Sequence, residues 1–327
     1  MSNKYVIQWH ITHLCNLRCK HCYQEEYNNH MKKEDFYIIL DRLENWLRGK
    51  DLVPQINLTG GEPLLHPNFF EFLEEIVKRK IRFSILTNGT MIDKDIAKRI
   101  KYYNPLFVQI SLDGIKETHD NIRGNGNFEK ALQGIDNLKS EDVKVLVSFT
   151  AQKSNYKDFK ELAKICQNHK VDKLWWDRVV TEDEELYLST EEFKELVKVS
   201  NNLIYGLHPF QNYSCVNNQR SLQCLGTKSQ GYQCGAGKKL IIILADGSVM
   251  PCRRLPFIIG NIKEDDLANI IKGSPIMREL SEFYAPKECY GCKELNKCYG
   301  GSRCVTYAQT GKLFDRDVNC FYLDRRV

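Results

Sequence analysis

Three cysteines fall within eight residues near the start of the chain, in the run Cys15-Asn16-Leu17-Arg18-Cys19-Lys20-His21-Cys22-Tyr23. Thiolates spaced C-x3-C-x2-C can hold three irons of a cubane [4Fe–4S] cluster. The fourth iron then has no protein ligand, which is what a cluster needs if it is to bind and reduce a small molecule as well as pass electrons. The same thiols, with His13 or His21 as a fourth ligand, would also make a tetrahedral zinc site. Polar signals recur downstream: Thr59-Gly60-Gly61-Glu62-Pro63, Thr87-Asn88-Gly89, and Ser111-Leu112-Asp113-Gly114 with Arg123 beyond it. Glycines let a ligand approach the backbone, and a carboxylate can receive an ammonium group. Each signal alone reads as a turn; their repetition after successive strands points to one site.

The chain has 13 cysteines, nine of them between Cys215 and Cys320. They read Cys234-x12-Gly247-x4-Cys252, then Cys289-x2-Cys292-x5-Cys298-x5-Cys304, then Cys320. Clustered thiols in a reducing compartment point to bound metal and not to a disulfide framework. Eight of them would suffice for two zinc tetrahedra. Cys166 lies in a helical run, where a thiol behaves as a small core residue. Cys215 has three readings: a further cluster ligand, a hydrogen-atom donor, or a structural thiol.

The elements that must position these groups follow from periodicity. Short β-rich runs at Tyr5–Ile11, Gln55–Leu58, Arg82–Leu86, Phe107–Ser111, Lys144–Phe149 and Lys173–Asp177 alternate with amphipathic stretches at Lys33–Leu47, Asn68–Lys80, Lys94–Lys101, Phe128–Leu138 and Asp158–Asn168. Six strand–helix units imply parallel strands, in a sheet either open or curled toward a barrel, with its chemistry at the strands' C-terminal ends. A helix at Thr190–Leu203 closes this region. Past Gly206 the alternation stops; a hairpin is expected at Leu240–Met250, turning at Asp246-Gly247, with a helix at Leu267–Lys272. The remainder reads as a small cysteine-rich domain held by metal and not by a core of its own. The expected divisions are 1–205, a bridging segment 206–233, and 234–327.

With 42% apolar and 27% charged residues and a net charge of +5, the chain is neither disordered nor strongly basic, and nucleic acid is not an expected partner. No apolar run reaches the roughly 18 residues of a membrane helix. The N-terminus lacks a signal-peptide core, so a cytoplasmic protein is expected. With the first strand beginning at residue 4, leader binding by an N-terminal domain is not expected either.

C-x3-C-x2-C after the first strand and Gly-Gly-Glu after the second resemble the signature of the radical S-adenosylmethionine (SAM) superfamily over roughly residues 4–205. The resemblance implies a partial (β/α)6 barrel and an oxidoreductase that cleaves SAM reductively to a 5′-deoxyadenosyl radical, which abstracts hydrogen from a substrate. By position, Cys15, Cys19 and Cys22 would hold the SAM-binding cluster and Gly60, Gly61 and Glu62 would receive the methionine amino group. Asn88 and Ser111 would contact the nucleoside or methionine part, and Arg123 the carboxylate. The C-terminal cysteines are similar to the SPASM extension, which carries two auxiliary [4Fe–4S] clusters, for three in all. Cys289, Cys292, Cys298 and Cys320 would take the outer one, and Cys234, Cys252 and Cys304 the inner one, with Cys224 as its fourth ligand. The chain departs from that pattern in having five residues, not three, between Cys298 and Cys304.

SPASM relatives act mostly on ribosomal peptides or protein side chains, making thioethers, carbon–carbon crosslinks, epimers or formylglycine; a minority act on small molecules such as tetrapyrrole carboxylates. Auxiliary clusters able to take the remaining electron would make the net reaction oxidative; epimerisation would instead need a thiol donor such as Cys215. Sulfatase-maturing relatives place an acidic base directly after the second inner cysteine. Here Arg253 and Arg254 stand there, and an arginine is no base near neutral pH. They are instead candidates to meet acidic substrate groups. The resemblance further implies a peptide or protein substrate, a separate leader-binding protein, and an electron donor such as flavodoxin or ferredoxin. A zinc-stabilised binding module is the reading from outside enzymology.

Overall fold

The computed structural model describes residues 3–205, 215–218, 223, 234–282 and 285–322. Most of the expected bridging segment, including Cys224, lies outside them. Strands β1 (Lys4–His10), β2 (Val53–Thr59), β3 (Arg82–Thr87), β4 (Val108–Ser111), β5 (Val145–Ala151) and β6 (Lys173–Arg178) form a parallel sheet in sequence order. The crossovers are α1 (Lys33–Leu47), α2 (Phe69–Lys78), α3 (Lys94–Tyr103), the pair α4 (Lys116–Arg123) and α5 (Asn127–Ser140), and α6 (Phe159–Asn168), with α7 (Thr190–Tyr205) following β6. The parallel sheet was expected from the alternation, and the α/β partial barrel from the family resemblance. Helix α4 was not expected; its sequence is mostly polar, and only His119 and Ile122 are buried.

Alternation along the strands gives the sheet two unlike faces. Ile7, Trp9, Ile56, Leu58, Ile85, Val108, Ile110, Val147 and Trp176 are fully or almost fully buried against the helices. The register places Gln8 beside Asn57, Asn57 beside Ser84, Ser111 beside Ser148, and Ser148 beside Trp175 on the other face. There Gln55 donates to Asn57 and Ser84 at 2.7 and 3.1 Å, and Trp175 donates to Gln109 at 3.3 Å. Most of these residues are half-buried. A closed (β/α)8 barrel fills its interior with aliphatic side chains; the inner face of this open sheet is an amide- and hydroxyl-lined cleft.

The predicted hairpin exists as β7 (Leu240–Ile243) and β8 (Ser248–Met250), joined by β9 (Gly260–Asn261). Its place in the fold was not expected. Strand β7 pairs in parallel with β1, from Val6↔Leu240 to Trp9↔Ile243, so the sheet runs β6-β5-β4-β3-β2-β1-β7-β8-β9. Ile241, Ile243, Val249, Ile262 and Leu267 belong to the main hydrophobic core. The early part of the cysteine-rich region is therefore held by the barrel's own core, which corrects the expectation of a domain supported by metal alone. Helices α8 (Leu267–Gly273), α9 (Pro275–Ser281), α10 (Leu295–Cys298) and α11 (Arg303–Thr310) complete the chain. Only the first was predicted. Among the described residues no helix is long and apolar enough to cross a membrane.

At the other edge of the sheet, Arg178 ends β6 and meets Asp317, beyond α11, through two hydrogen bonds of 2.7 Å, and it donates to Asn319 at 2.7 Å. Arg178 and Asp317 are 6% and 1% exposed. Removing one member strands its buried partner, so Asp317→Ala should lower the free energy of unfolding by about 3–5 kcal/mol. Removing the exposed Lys312–Asp315 pair should shift it by less than about 1 kcal/mol. Urea midpoints of the two variants check the contrast.

Candidate active site

The loop Cys15–Cys22 leaves the end of β1 and is held by the ends of its neighbours. Gly61 N donates to Thr12 O at 2.8 Å and Glu62 N to Leu14 O at 2.7 Å. A Cβ on Gly60 would lie 2.3 Å from Thr12 O, and one on Gly61 2.4 Å from Leu14 O. The glycines thus admit the backbone that leads into the cysteine loop. From the end of β3, Asn88 donates to Asn16 Oδ1 at 2.8 Å while its own Oδ1 accepts from Thr90. From α4, Ile122 O accepts from Lys20 N at 3.0 Å, and Arg123 Nη1 lies 3.7 Å from Cys19 Sγ.

Glu62 is fully buried. It accepts from Thr87 Oγ1 at 2.7 Å, Asn88 N at 2.8 Å and Leu64 N at 3.2 Å. A carboxylate has about four acceptor positions, so one remains open. Burial pushes its pKa up to about 7 against the help of these donors. Asp113, also fully buried, accepts from Arg123 Nε at 2.5 Å and Thr150 N at 2.8 Å, and faces His21 Nε2 at 3.5 Å. Burial opposes its charge, but Arg123 and His21 hold its carboxyl below the usual range. Arg123, expected to meet a SAM carboxylate, is thus already paired, and its charge also steadies Cys19. Ser111 stands on the inner face beside Ser148. Asp113 and His21 were present in the quoted motifs, but nothing in their spacing announced the pairing.

The cysteines gather in three sets. Cys15, Cys19 and Cys22 are within electrostatic reach of one another, and burial pushes Cys15 up to about 11. Cys234 and Cys304 act in the same way on Cys252, which burial pushes up to about 12. Cys289, Cys292, Cys298 and Cys320 line a single cavity together with Arg316 and Tyr322. Among the described residues no three His, Cys, Asp or Glu side chains close on a single ion. Thiols arranged round a cavity fit a cubane, which spreads its ligands wider than one metal atom does. Buried nitrogens without partners, His13 Nδ1 and His21 Nδ1, flank the first set.

Cys215 stands apart. Its backbone pairs with Leu174 at the start of β6, the opposite end of that strand from Arg178. Its thiol is buried, 4.0 Å from Ala163 O, within electrostatic reach of Cys166. A strand of this length puts it roughly 13 Å from the end where Arg178 meets the cysteine-rich region. This placement agrees with the structural reading of Cys215 and opposes its use as ligand or hydrogen donor.

Two outcomes follow. An unfolded glutamate ionises near 4.5, whereas folded Glu62 does so near 7. Between those values the unfolded chain releases a proton that the folded chain keeps, so stability falls as pH rises and levels off above about 7. The drop should be about 3 kcal/mol in SAM-free protein, and Glu62→Gln should abolish it; urea midpoints at pH 5 and 7.5 measure both. Cys215→Ala should cost about 1 kcal/mol and leave iron content at the wild-type level, as measured on reconstituted protein.

Comparison with known proteins agrees with this geometry. Residues 9–166 match the model of the radical SAM superfamily, and residues 234–293 that of the SPASM iron–sulfur cluster-binding domain. Fe-coproporphyrin III synthase of Methanosarcina barkeri is 27% identical, over 100% of this chain and 90% of its own. The mycofactocin maturase MftC of Mycobacterium tuberculosis is 26% identical, over 96% and 82%. The solved structure of anSMEcpe with bound AdoMet and a peptide shares the fold, with a TM-score of 0.81 at 21% identity over 98% of this chain and 95% of that one. Such relatives imply SAM and [4Fe–4S] clusters as cofactors, and the zinc-stabilised binding module is set aside. The chain belongs to the radical SAM superfamily and is a SPASM-type radical SAM enzyme.

Proposed function

We propose that this enzyme oxidatively modifies a side chain of a ribosomally made peptide or protein, by thioether or carbon–carbon bond formation. The observation that carries the reading is the gathering of Cys15, Cys19 and Cys22 at the mouth of a cleft lined by amides and hydroxyls. When bound, a cluster and SAM supply one-electron cleavage and a radical able to take a hydrogen atom from the substrate. The chain's own residues hold this chemistry in place. Glu62 keeps one acceptor position for the methionine ammonium, and Arg123 and Asn88 fix the cysteine loop. Gln8, Asn57 and Gln109 on the inner face offer donors and acceptors to a peptide backbone. The sets Cys234, Cys252, Cys304 and Cys289, Cys292, Cys298, Cys320 are assigned to the inner and outer auxiliary clusters. The proposed divisions remain a barrel to residue 205 and an auxiliary-cluster region from 234, bridged by 206–233, with Cys224 as the inner set's fourth ligand.

A second reading, a tetrapyrrole substrate, is favoured by the near end-to-end similarity to Fe-coproporphyrin III synthase. Formylglycine formation is disfavoured by arginine at position 253, where that reaction uses an acid.

Anaerobically reconstituted protein should hold about twelve iron per chain, the content of three four-iron clusters, and form 5′-deoxyadenosine from SAM under a strong reductant. Cys15→Ala should lose about four of them and all SAM cleavage. Zinc in place of the remaining iron would remove the auxiliary clusters from the proposal; wild-type protein unable to cleave SAM would remove the radical chemistry.

A further inference from the structure

The two arginines after Cys252 have different surroundings. Arg254 Nη2 donates to Asp177 Oδ2 at 2.5 Å and Nη1 reaches Arg178 O at 3.5 Å, so it braces the hairpin against the end of β6. Arg253 turns the other way. Its guanidinium carbon lies 4.3 Å from the ring centroid of Tyr23, the residue after Cys22. Its Nε is buried and has no hydrogen-bond partner, and among the described residues no carboxylate pairs with it. The Tyr23 hydroxyl is within electrostatic reach of Cys22, Cys252, Arg253 and Arg254, so the first and inner cysteine sets meet at this pair. His10, at the end of β1 on the polar face, feels the charge of Arg253 as well.

An arginine with a buried, unsatisfied N–H is costly unless an anion completes it. A stacked guanidinium is pre-oriented, with its fork available for two parallel bonds to a carboxylate. We propose that Arg253, stacked on Tyr23, is the anchor for a carboxylate of the substrate and sets substrate choice at this mouth. This deepens the function proposed above and rests on it. The shared chemistry is a carboxylate, whether a peptide's acidic side chain or a tetrapyrrole's propionate.

The probes are coproporphyrin III with its tetramethyl ester, and a fluorescein-labelled glutamate-containing octapeptide with its glutamine counterpart. Each is titrated into anaerobically reconstituted wild-type protein, Arg253→Gln and Arg253→Lys, with iron content checked for each variant. One acid should bind more tightly than its neutral counterpart. Arg253→Gln should weaken that binding about tenfold or more, the loss of one charge-assisted bond, and Arg253→Lys should fall between, keeping the charge but not the fork. Coproporphyrin behaving so assigns the carboxylate to a tetrapyrrole, and the peptide behaving so assigns it to a peptide. Acids that bind no better than their neutral counterparts, or bind Arg253→Gln as tightly as wild type, overturn the anchor. SAM cleavage by the same wild-type preparation keeps the two ideas separate: its presence with indifferent probes removes the anchor alone, and its absence removes the radical chemistry.

Discussion

Thiols that are to share one inorganic core must be brought together before the core exists, and as thiolates they repel one another. Much of the barrel mouth answers that constraint. The loop carrying Cys15, Cys19 and Cys22 has no regular structure of its own. It is pinned by Gly60-Gly61-Glu62 from β2, by Asn88 from β3 and by α4 after β4. Arg123 sets a positive charge beside Cys19, and Asp113 holds Arg123 in place without exposure to water. A buried carboxylate, a largely buried guanidinium and a thiol thus form one chain of contacts, in which each charge compensates the burial of the next.

The same economy of position governs the C-terminal region. Its hairpin continues the barrel's sheet through β1, the strand that leads into the first cysteine loop. Cys252 follows β8 by two residues, and its loop turns back so that Cys252 and Cys22 both lie within electrostatic reach of Tyr23. Arg254 with Asp177 and Arg178 with Asp317 then tie this region to the end of β6, at the far edge of the sheet. The cysteine-rich region is thus attached at both edges of the six-stranded parallel sheet, β1 and β6.

The amino-acid sequence by itself determined the parallel sheet, most of the helices that cross it and the first cysteine set, because each is written at short range; the two later sets, spread over tens of residues, followed only from the family resemblance. Apolar residues two apart mark a strand and three or four apart a helix, and cysteines separated by a few residues must lie near one another. Tertiary structure alone decided what happens between distant segments. The pairing of β7 with β1 joins residues more than two hundred positions apart, and no local period encodes it. Helix α4, low in apolar residues, is fixed by its contacts with the cysteine loop more than by propensity. That the motif glycines lie against the backbone of Thr12 to Leu14 is likewise a product of the fold. Arg253 and Arg254 are neighbours of identical chemistry, and only the fold gives one of them an aspartate and the other a tyrosine ring. Charge and hydrogen-bond partners depend on distances of a few ångströms across the chain, and those distances exist only once the chain has closed on itself.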